Sequence, residues 1–359
     1  MMSSSNWHPS PARRRLVALL GVAALALPVL AACKSNSDSV GDAAAGTITV
    51  AKGFDVEVDP RIKGDIRIAH GFGLLYSPVM VLRQMKVLEK KYPNAKIQYF
   101  DILTTPQQRD AMLSRTLDFG TATPGPFLQA RQAGVQLKMV QVFAGWDGAL
   151  MVKEGGPSSV LDFIGTTKKI SPSLNTAQYN AIQMALKKAG KDPHALDKNF
   201  VNLPHPEAIQ ALMTGSLDAA FLTTDYVMQL EAKGGFKRIL SLRETLGGDY
   251  YPVGAMALEK TIKEKPELTN AYAVTLRQAV EWITQYPDEA AKVLSEASDG
   301  KVSPEEQARY LKSDLLTLRT TNAGFRRQAE ILVDLGELKE APRDPAEIYA
   351  YKDQAGENW

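Results

Sequence analysis

Hydroxyl side chains stand just ahead of four predicted helices in this 359-residue chain. The loops that carry them are residues 70–78, 121–126, 171–176 and 223–226, and each follows a short predicted strand. A helix N-terminus offers unpaired N–H groups and a partial positive charge, which hold a sulfonate or carboxylate without any lysine. These loops therefore predict a binding site for a small anion, with a plain turn or helix cap as the alternative for each loop.

A glycine-flanked tryptophan and a tyrosine complete the candidate site. Trp146 is predicted to stack on the ligand, with packing between domains as the alternative. Asp147 and Asp225 could pair with a ligand amine, although both also suit turn or helix caps. No arginine falls in the loops, and Arg83 and Arg243 are predicted to be surface residues. The candidate ligand contacts are Gly71, Phe72, Tyr76, Ser77, Thr121, Thr123, Trp146, Asp147, Ser173, Asn175, Thr176, Thr224, Asp225 and Tyr250.

Enzyme chemistry finds little support in the residue types. The histidines are His8, His70, His194 and His205, and none has a metal-ligating partner four residues on. Neither a Gly-x-Ser-x-Gly elbow nor a phosphate-binding P-loop occurs. His70 and His205 at the rim of the site are the one hint of metal or acid–base work. We therefore predict no catalytic residue, no metal and no cofactor.

The single cysteine, Cys33, excludes a disulfide framework, a thiolate zinc cluster and an iron–sulfur site. Arg13–Arg15 and an apolar run over Leu16–Leu27 precede it, a pattern typical of an export signal and too short for a membrane span of about 20 residues. The run Leu-Ala-Ala-Cys resembles the bacterial lipoprotein processing box, which predicts lipid attachment at Cys33. An ordinary secretory signal is the alternative, and the route, general secretory or twin-arginine, stays open.

The charge balance is that of a nearly neutral exported protein. The chain has 42 basic and 40 acidic residues, a formal net charge of +2. Three of those arginines lie in residues 1–32, which hold no acidic residue, so the processed chain keeps 39 basic side chains. This balance predicts no nucleic-acid partner.

Short strands alternate with helices from residue 66 onward, which predicts an α/β fold with mostly parallel sheets. Residues 111–118 match residues 211–218 at an offset of one hundred, and each copy ends a helix and turns into an Asp-led strand. The agreement of context favours two duplicated lobes, with coincidence as the alternative.

Residues 65–340 resemble the substrate-binding lipoproteins of bacterial ABC importers, of the nitrate/sulfonate/taurine and thiamine-precursor type. The motifs that carry the resemblance are Ile66 to Gly73, Leu117-Asp118-Phe119-Gly120, Val160 to Asn175, Lys187-Lys188-Ala189-Gly190 and Asn202-Leu203-Pro204. The loop over 171–176 keeps donors at Ser173, Asn175 and Thr176 but lacks the glycine that the family has there.

The resemblance implies a type II periplasmic-binding-protein-like fold with ligand between two lobes and two crossover hinges, near Trp146–Leu150 and Tyr250–Ala255. The expected organisation is a lipoprotein signal peptide (1–32), a flexible tether (33–64), lobe 1 (65–147), lobe 2 (148–252), the helical return of lobe 1 (253–340) and a C-terminal tail (341–359).

The function so implied is capture of a small organic anion, an alkane- or arylsulfonate or a taurine-like compound, for delivery to an ABC permease. The protein would be a monomer, exported and lipid-anchored to the outer face of the cell membrane or periplasmic. The alternatives are a receptor for a thiamine pyrimidine, another aromatic precursor or nitrate. A sensory receptor and a fold-related enzyme are further rivals, although the enzyme's iron site needs more cysteines than this chain has.

Overall fold

A computed structural model describes residues 45–359 apart from 72, 103, 175, 246, 249, 322, 323, 357 and 358. The predicted signal peptide, Cys33 and the candidate contacts Phe72 and Asn175 lie outside the described residues. Within the described part of the chain, no helix combines the length and apolar character that a membrane span requires.

Strands and helices alternate between residues 46 and 258, and helices dominate afterwards. The strands are β1 (Gly46–Ala51), β2 (Phe54–Val58), β3 (Gly64–His70), β4 (Ala95–Asp101), β5 (Gly120–Ala122), β6 (Leu137–Trp146), β7 (Ala149–Lys153), β8 (Ile170–Ser171), β9 (Ala219–Leu222), β10 (Phe236–Ser241), β11 (Tyr251–Leu258) and β12 (Leu316–Leu318). The helices are α1 (Ser77–Gln84), α2 (Val87–Lys91), α3 (Thr105–Leu113), α4 (Pro124–Gln132), α5 (Ala177–Lys188), α6 (His205–Thr214), α7 (Thr224–Lys233), α8 (Leu242–Thr245), α9 (Glu259–Glu264), α10 (Pro266–Gln285), α11 (Pro287–Ala297), α12 (Pro304–Leu311), α13 (Phe325–Asp334) and α14 (Pro345–Ile348).

The strands after β2 form two mixed sheets of similar design within the described residues. One sheet has the order β12-β6-β11-β5, and a bridge between Ile68 and Phe119 adds β3 and β4 beyond β5. The other sheet has the order β10-β7-β9-β8. The chain returns to the first sheet through β11, which runs antiparallel to both of its neighbours. It enters the second sheet through β7, which is also antiparallel to both of its neighbours. The predicted two-lobed α/β architecture is confirmed, and we call the sheets lobe 1 and lobe 2 in that order. The prediction of mostly parallel sheets is wrong, because most of the strand pairs in both sheets are antiparallel.

The hundred-residue repeat corresponds to one corner that both lobes share. In lobe 1 the Asp118 amide donates to the Arg67 carbonyl, and the Asp118 carboxylate accepts from the Arg67 amide, each at 3.0 Å. In lobe 2 Asp218 makes the same two bonds with Lys169, at 3.0 and 2.8 Å. At the equivalent point of each lobe, an aspartate therefore links two parallel strands through hydrogen bonds.

The first crossing of the chain between the lobes lies where the sequence predicts it. β6 ends at Trp146 in lobe 1, and β7 begins at Ala149 in lobe 2. The return lies earlier than Tyr250–Ala255, because Tyr251 to Ala255 already pair with β6 in lobe 1. A further connection joins the lobes: the Asp147 amide donates to the Leu315 carbonyl at 2.7 Å, and Leu315 is buried in the lobe 2 core just ahead of β12.

The predicted tether does not hold for residues 46–58, which form the antiparallel hairpin β1–β2. Phe54 is 3% exposed, and its ring stacks on Trp282 of α10 with centroids 5.2 Å apart. The Trp282 indole N–H donates to the Lys52 carbonyl at 3.0 Å. Burial of these two aromatic rings fastens the hairpin to lobe 1, since each ring removes a large apolar area from water.

The predicted C-terminal tail is also part of the packed fold. Tyr349 is 3% exposed and forms a bridge with Met139 of β6. The fully buried Gln354 side chain accepts from the Val142 amide at 3.1 Å and donates to Gln141 at 2.8 Å. This segment satisfies an edge of β6 that would otherwise leave polar groups without partners.

Candidate functional site

The loop that follows β3 places Tyr76 and Ser77 at the start of α1. The hydroxyls of Tyr76 and Thr121 are hydrogen-bonded, and burial raises the pKa of Tyr76. Gly71 is required beside this ring, because a Cβ there would lie 2.5 Å from the Tyr76 side chain. Ser77 is fully buried, and its Oγ has no hydrogen-bond partner among the described residues.

Tyr251 occupies the helix N-terminus at Thr123. Its hydroxyl accepts from the Gly125 amide at 3.1 Å and is hydrogen-bonded to the Thr123 side chain. Burial raises the pKa of Tyr251 to about 12, so the hydroxyl keeps its proton at neutral pH. The helix start at Thr123, which was predicted to donate to an anion, therefore has a partner within the protein. That partner is the hydroxyl of Tyr251, not that of Tyr250.

Trp146 packs at the end of β6, where the chain leaves lobe 1. Its ring lies edge-on to Tyr251, with centroids 5.8 Å apart and an interplanar angle of 80°. A Cβ on Gly148 would lie 2.8 Å from the indole, so only glycine fits there. The indole is 3% exposed, and its Nε1 has no hydrogen-bond partner in the described part of the chain.

Asp147, Thr224 and Tyr250 bond to the segments that connect the lobes. The buried Asp147 carboxylate accepts from the amides of Gly148 at 2.9 Å and Arg243 at 3.1 Å, and burial raises its pKa. The Thr224 hydroxyl donates to the Asp147 carbonyl at 2.9 Å. Tyr250 donates to the Asp314 carbonyl at 2.8 Å, and the Arg243 guanidinium lies 4.2 Å from its ring centroid. All three side chains therefore make hydrogen bonds to the segments that connect the lobes.

The described part of the third loop is held by its own hydrogen bonds. The Thr176 hydroxyl donates to the Ser173 carbonyl, and Ser173 adopts a left-handed backbone with φ of 54°. The Leu174 amide donates to Asn202 Oδ1 at 3.2 Å. Ser173 and Thr176 keep part of their surface exposed at the start of α5, where a ligand could reach them.

A cavity of about 710 Å³ opens between the lobes, and of the described candidate contacts Asp225 alone lines it. Gly73 of lobe 1 and Asp225 of lobe 2 face each other across it, since a Cβ on Gly73 would lie 3.5 Å from Asp225 Oδ2. Its remaining wall comes from the α11–α12 connection. The lining side chains that the sequence did not predict include His70, Arg83, Asp101, Tyr226, Glu296 and Lys301.

Arg83, predicted to be a surface residue, lines this cavity. Its guanidinium pairs with the Asp101 carboxylate and lies 3.1 Å from His70 Nε2. Burial lowers the pKa of His70, so this imidazole is neutral at pH 7. Among the described residues, no group of three or more His, Cys, Asp or Glu side chains is placed to hold a metal ion.

The NMT1/THI5-like family model matches residues 104–290, more than half of the chain. The chain belongs to the NMT1/THI5-like family. Two relatives named aliphatic sulfonates-binding proteins are similar to it. One, from Escherichia coli K12, is 25% identical over 44% of this chain and 50% of its own length. The other, from Bacillus subtilis 168, is 24% identical over 66% of this chain and 70% of its own length.

Solved structures share the fold of this NMT1/THI5-like protein. The periplasmic aliphatic sulphonate binding protein SsuA from E. coli matches with a TM-score of 0.66 at 19% identity, over 80% of this chain and 98% of that one. The alkanesulfonate-binding protein SsuA from Xanthomonas axonopodis pv. citri, bound to MOPS, matches with a TM-score of 0.64 at 19% identity, over 79% and 98%.

A second contact between the lobes of this NMT1/THI5-like protein joins α5 of lobe 2 to the end of α13 in lobe 1. Asn180 Nδ2 donates to Glu337 Oε1, and Gln129 Nε2 donates to Glu337 Oε2 at 3.1 Å. Lys187 Nζ donates to Asp334 Oδ1 at 2.6 Å. We call these five residues the interlobe clasp. Sequence reasoning missed it because the partners lie more than one hundred positions apart across the lobes, and the motif that contains Lys187 does not indicate its partner.

Proposed function

We propose that the chain is the extracytoplasmic solute-binding protein of an ABC importer, and that it captures a small organic anion between its lobes without catalysis. The anion we favour is an alkane- or arylsulfonate or a taurine-like compound, because the relatives are named for aliphatic sulfonates. The permease of the importer would receive the ligand. Cys33 would carry the lipid that keeps this monomer at the outer face of the membrane.

The observation that carries the proposal is that two candidate contacts, Ser77 Oγ and Trp146 Nε1, are buried polar groups with no hydrogen-bond partner among the described residues. A buried polar group left unsatisfied costs about 1–3 kcal/mol, so each of them would gain from pairing with a ligand. The indole N–H can only donate, and it therefore favours an acceptor such as a sulfonate oxygen.

Helix N-termini strengthen the preference for an anion. Ser77 begins α1, an eight-residue helix, and Thr176 precedes α5 of lobe 2. The partial positive charge of a helix N-terminus stabilises an anion by about 0.3–1 kcal/mol near the surface and more when partly buried. Neither start needs a basic side chain for this effect.

Calorimetric titration of residues 34–359 with a panel of ligands tests the proposal. The panel contains straight-chain alkanesulfonates, taurine, nitrate and a thiamine-pyrimidine precursor. We expect saturable binding of at least one sulfonate at one site per chain. Binding of the pyrimidine or of nitrate alone would reassign the ligand, and folded protein that binds none of the panel would contradict the proposal.

A further inference from the structure

A carboxylate lies at the contact between the lobes, in the interlobe clasp. Glu337 accepts from Asn180 of lobe 2 through Oε1, and from Gln129 of lobe 1 through Oε2 at 3.1 Å. Asn180 is 8% exposed, and Glu337 and Gln129 are half-buried. Both of these partners are uncharged amides, so they stabilise the negative charge of Glu337 without neutralising it.

Closure of the lobes changes how readily this carboxylate ionises. Burial raises the pKa of Glu337, although the hydrogen bonds from Asn180 and Gln129 and the charge of His194 offset part of the effect. When the lobes separate, Asn180 moves away and water reaches the carboxylate, so its pKa returns toward the ordinary value. The closed form therefore holds a proton on Glu337 more readily than the open form does.

Two phenols and one imidazole act on Glu337 from the elements packed around it. They are Tyr179 in α5, Tyr251 in β11 and His194, which follows α5. Burial raises the pKa of both phenols, so they are neutral between pH 5 and pH 8. The charged pair of the clasp is satisfied within itself, since Lys187 Nζ donates to Asp334 Oδ1 at 2.6 Å.

Tyr251 connects the clasp to the proposed ligand site. Its ring lies edge-on to Trp146, with centroids 5.8 Å apart, and its hydroxyl accepts from the Gly125 amide at 3.1 Å. The charge of Glu337 acts on the same hydroxyl. An anion that pairs with Trp146 Nε1 therefore enters the field of Glu337, in a buried region where water screens two negative charges poorly. Repulsion between the two charges raises the pKa of Glu337 further.

We infer that capture of the anion is coupled to uptake of a proton by Glu337, so that the clasp closes more tightly in acid. The proton comes from solvent and stays on the carboxyl group, and no bond of the ligand is made or broken. This inference rests on the proposed function, which places the anion at Ser77 and Trp146. The gain in affinity is complete below the pKa of Glu337 in the open form and is lost as pH rises through its higher pKa in the closed form.

Calorimetric titration with a straight-chain alkanesulfonate measures this proton, because a sulfonate stays anionic throughout the range from pH 5 to pH 8. Titrations of the wild-type chain at pH 5.5, in two buffers of different ionisation enthalpy, should show net uptake of about half a proton per bound ligand. The dissociation constant should be about threefold to tenfold lower at pH 5 than at pH 8.

Glu337→Gln keeps the shape of the side chain and an acceptor for Asn180, but it carries no charge at any pH. Binding to this variant should take up no proton, and its dissociation constant should be the same at pH 5 and pH 8. Asn180→Ala gives a second test, because it removes a donor that lowers the pKa of Glu337. That variant should bind more weakly overall and depend more steeply on pH.

His194→Gln is the matched control, because a histidine can itself take up a proton between pH 5 and pH 8. The substitution removes the imidazole that acts on Glu337 and leaves the contacts of the clasp in place. This variant should keep the proton uptake of the wild type.

Binding without proton uptake in the wild type, or uptake that survives in Glu337→Gln, would overturn the inference and leave the proposed function standing. Uptake that disappears in His194→Gln would assign the proton to that imidazole and overturn it as well. Failure of every sulfonate to bind would instead reject the proposed function itself.

Discussion

The side-chain amide of Asn180 in lobe 2 donates a hydrogen bond to the Glu337 carboxylate in lobe 1. The two residues are 157 positions apart and meet on an edge of the cleft. Asn180 is 8% exposed, and Gln129 holds the second Glu337 oxygen at 3.1 Å. This contact joins the lobes without help from a ligand, so it adds to the stability of the closed arrangement.

Loss of the clasp should therefore open the empty protein. Glu337→Ala leaves Asn180 of lobe 2 without its acceptor, which costs about 1–3 kcal/mol in the closed form only, whereas the bond from Gln129 lies within lobe 1 and is lost in both forms. We expect a larger radius of gyration by small-angle X-ray scattering without ligand, and weaker ligand binding by up to about tenfold.

The control for the clasp is Glu330→Ala on α13, the helix that precedes Glu337, since among the described residues Glu330 pairs with its neighbours Arg326 and Arg327 alone. It should scatter like the wild type. An unchanged radius of gyration in Glu337→Ala would show that the clasp does not hold the lobes together.

Replacing Trp146 with phenylalanine should weaken ligand binding, in addition to the modest loss of stability expected from a smaller ring in the core. The change removes the unpartnered Nε1–H and keeps an aromatic ring against Tyr251. A hydrogen bond to a charged group contributes about 1.5–3 kcal/mol, so the dissociation constant for a sulfonate should rise at least about tenfold by calorimetry.

Trp282→Phe provides the opposite pattern. Its indole N–H has a partner in the Lys52 carbonyl, so its loss should lower the free energy of unfolding and leave sulfonate affinity unchanged. A Trp146→Phe variant that binds like the wild type would show that Nε1 does not touch the ligand.

Acid should destabilise the protein through Asp118. Burial raises the pKa of Asp118, but hydrogen bonds and charge from Arg67 and Lys265 outweigh it and lower the pKa overall. A lowered folded pKa gives stability that is present above the unfolded value of about 3.9 and is lost as pH falls through the folded value.

Urea titrations at pH 7 and pH 3 measure this effect. Asp118→Asn should lose about 1.5–3 kcal/mol at pH 7 and less at pH 3, because protonation of the unfolded chain below about 3.9 removes part of the advantage of the wild type. Asp218→Asn keeps an oxygen that can accept from the Lys169 amide, and among the described residues Asp218 has no side-chain ion pair to lose, so this variant should lose less. An equal loss in both variants at pH 7 would contradict the role of the ion pairs.

Cys33→Ser should release the protein from membranes without altering ligand affinity. Acyl chains on a cysteine contribute about 0.8 kcal/mol per buried methylene, which is enough for two chains to hold a soluble domain. Membrane fractionation after expression in a bacterial host measures the release. The same distribution for the variant and the wild type would reject lipid attachment at this residue.

Local patterns in the sequence predict the lobes well. The repeat at 111–118 and 211–218 marks the aspartate corner in each lobe, because its hydrogen bonds are made to the nearest parallel strand. The hydroxyls ahead of α1, α4 and α7 do lie at helix starts. Both features depend on residues close to one strand–helix junction, where sequence spacing is informative.

Residues that meet over long distances escape this reasoning. Tyr250 and Tyr251 look alike in the sequence, and only the pairing of Tyr251 with Trp146 in β11–β6 decides which one reaches Thr123. The contact of Phe54 with Trp282 joins residues more than two hundred positions apart. The sequence alone therefore predicts a tether where the structure has a packed hairpin. Arg83 reads as a surface residue because its partners, His70 and Asp101, lie on separate strands.

A crystal structure of residues 34–359 grown with a straight-chain alkanesulfonate tests the central claim most directly. We predict that the sulfonate lies between the lobes, with its oxygens within 2.7–3.2 Å of Ser77 Oγ and Trp146 Nε1. A sulfonate bound away from both groups, or both groups still without partners in a saturated crystal, would contradict it.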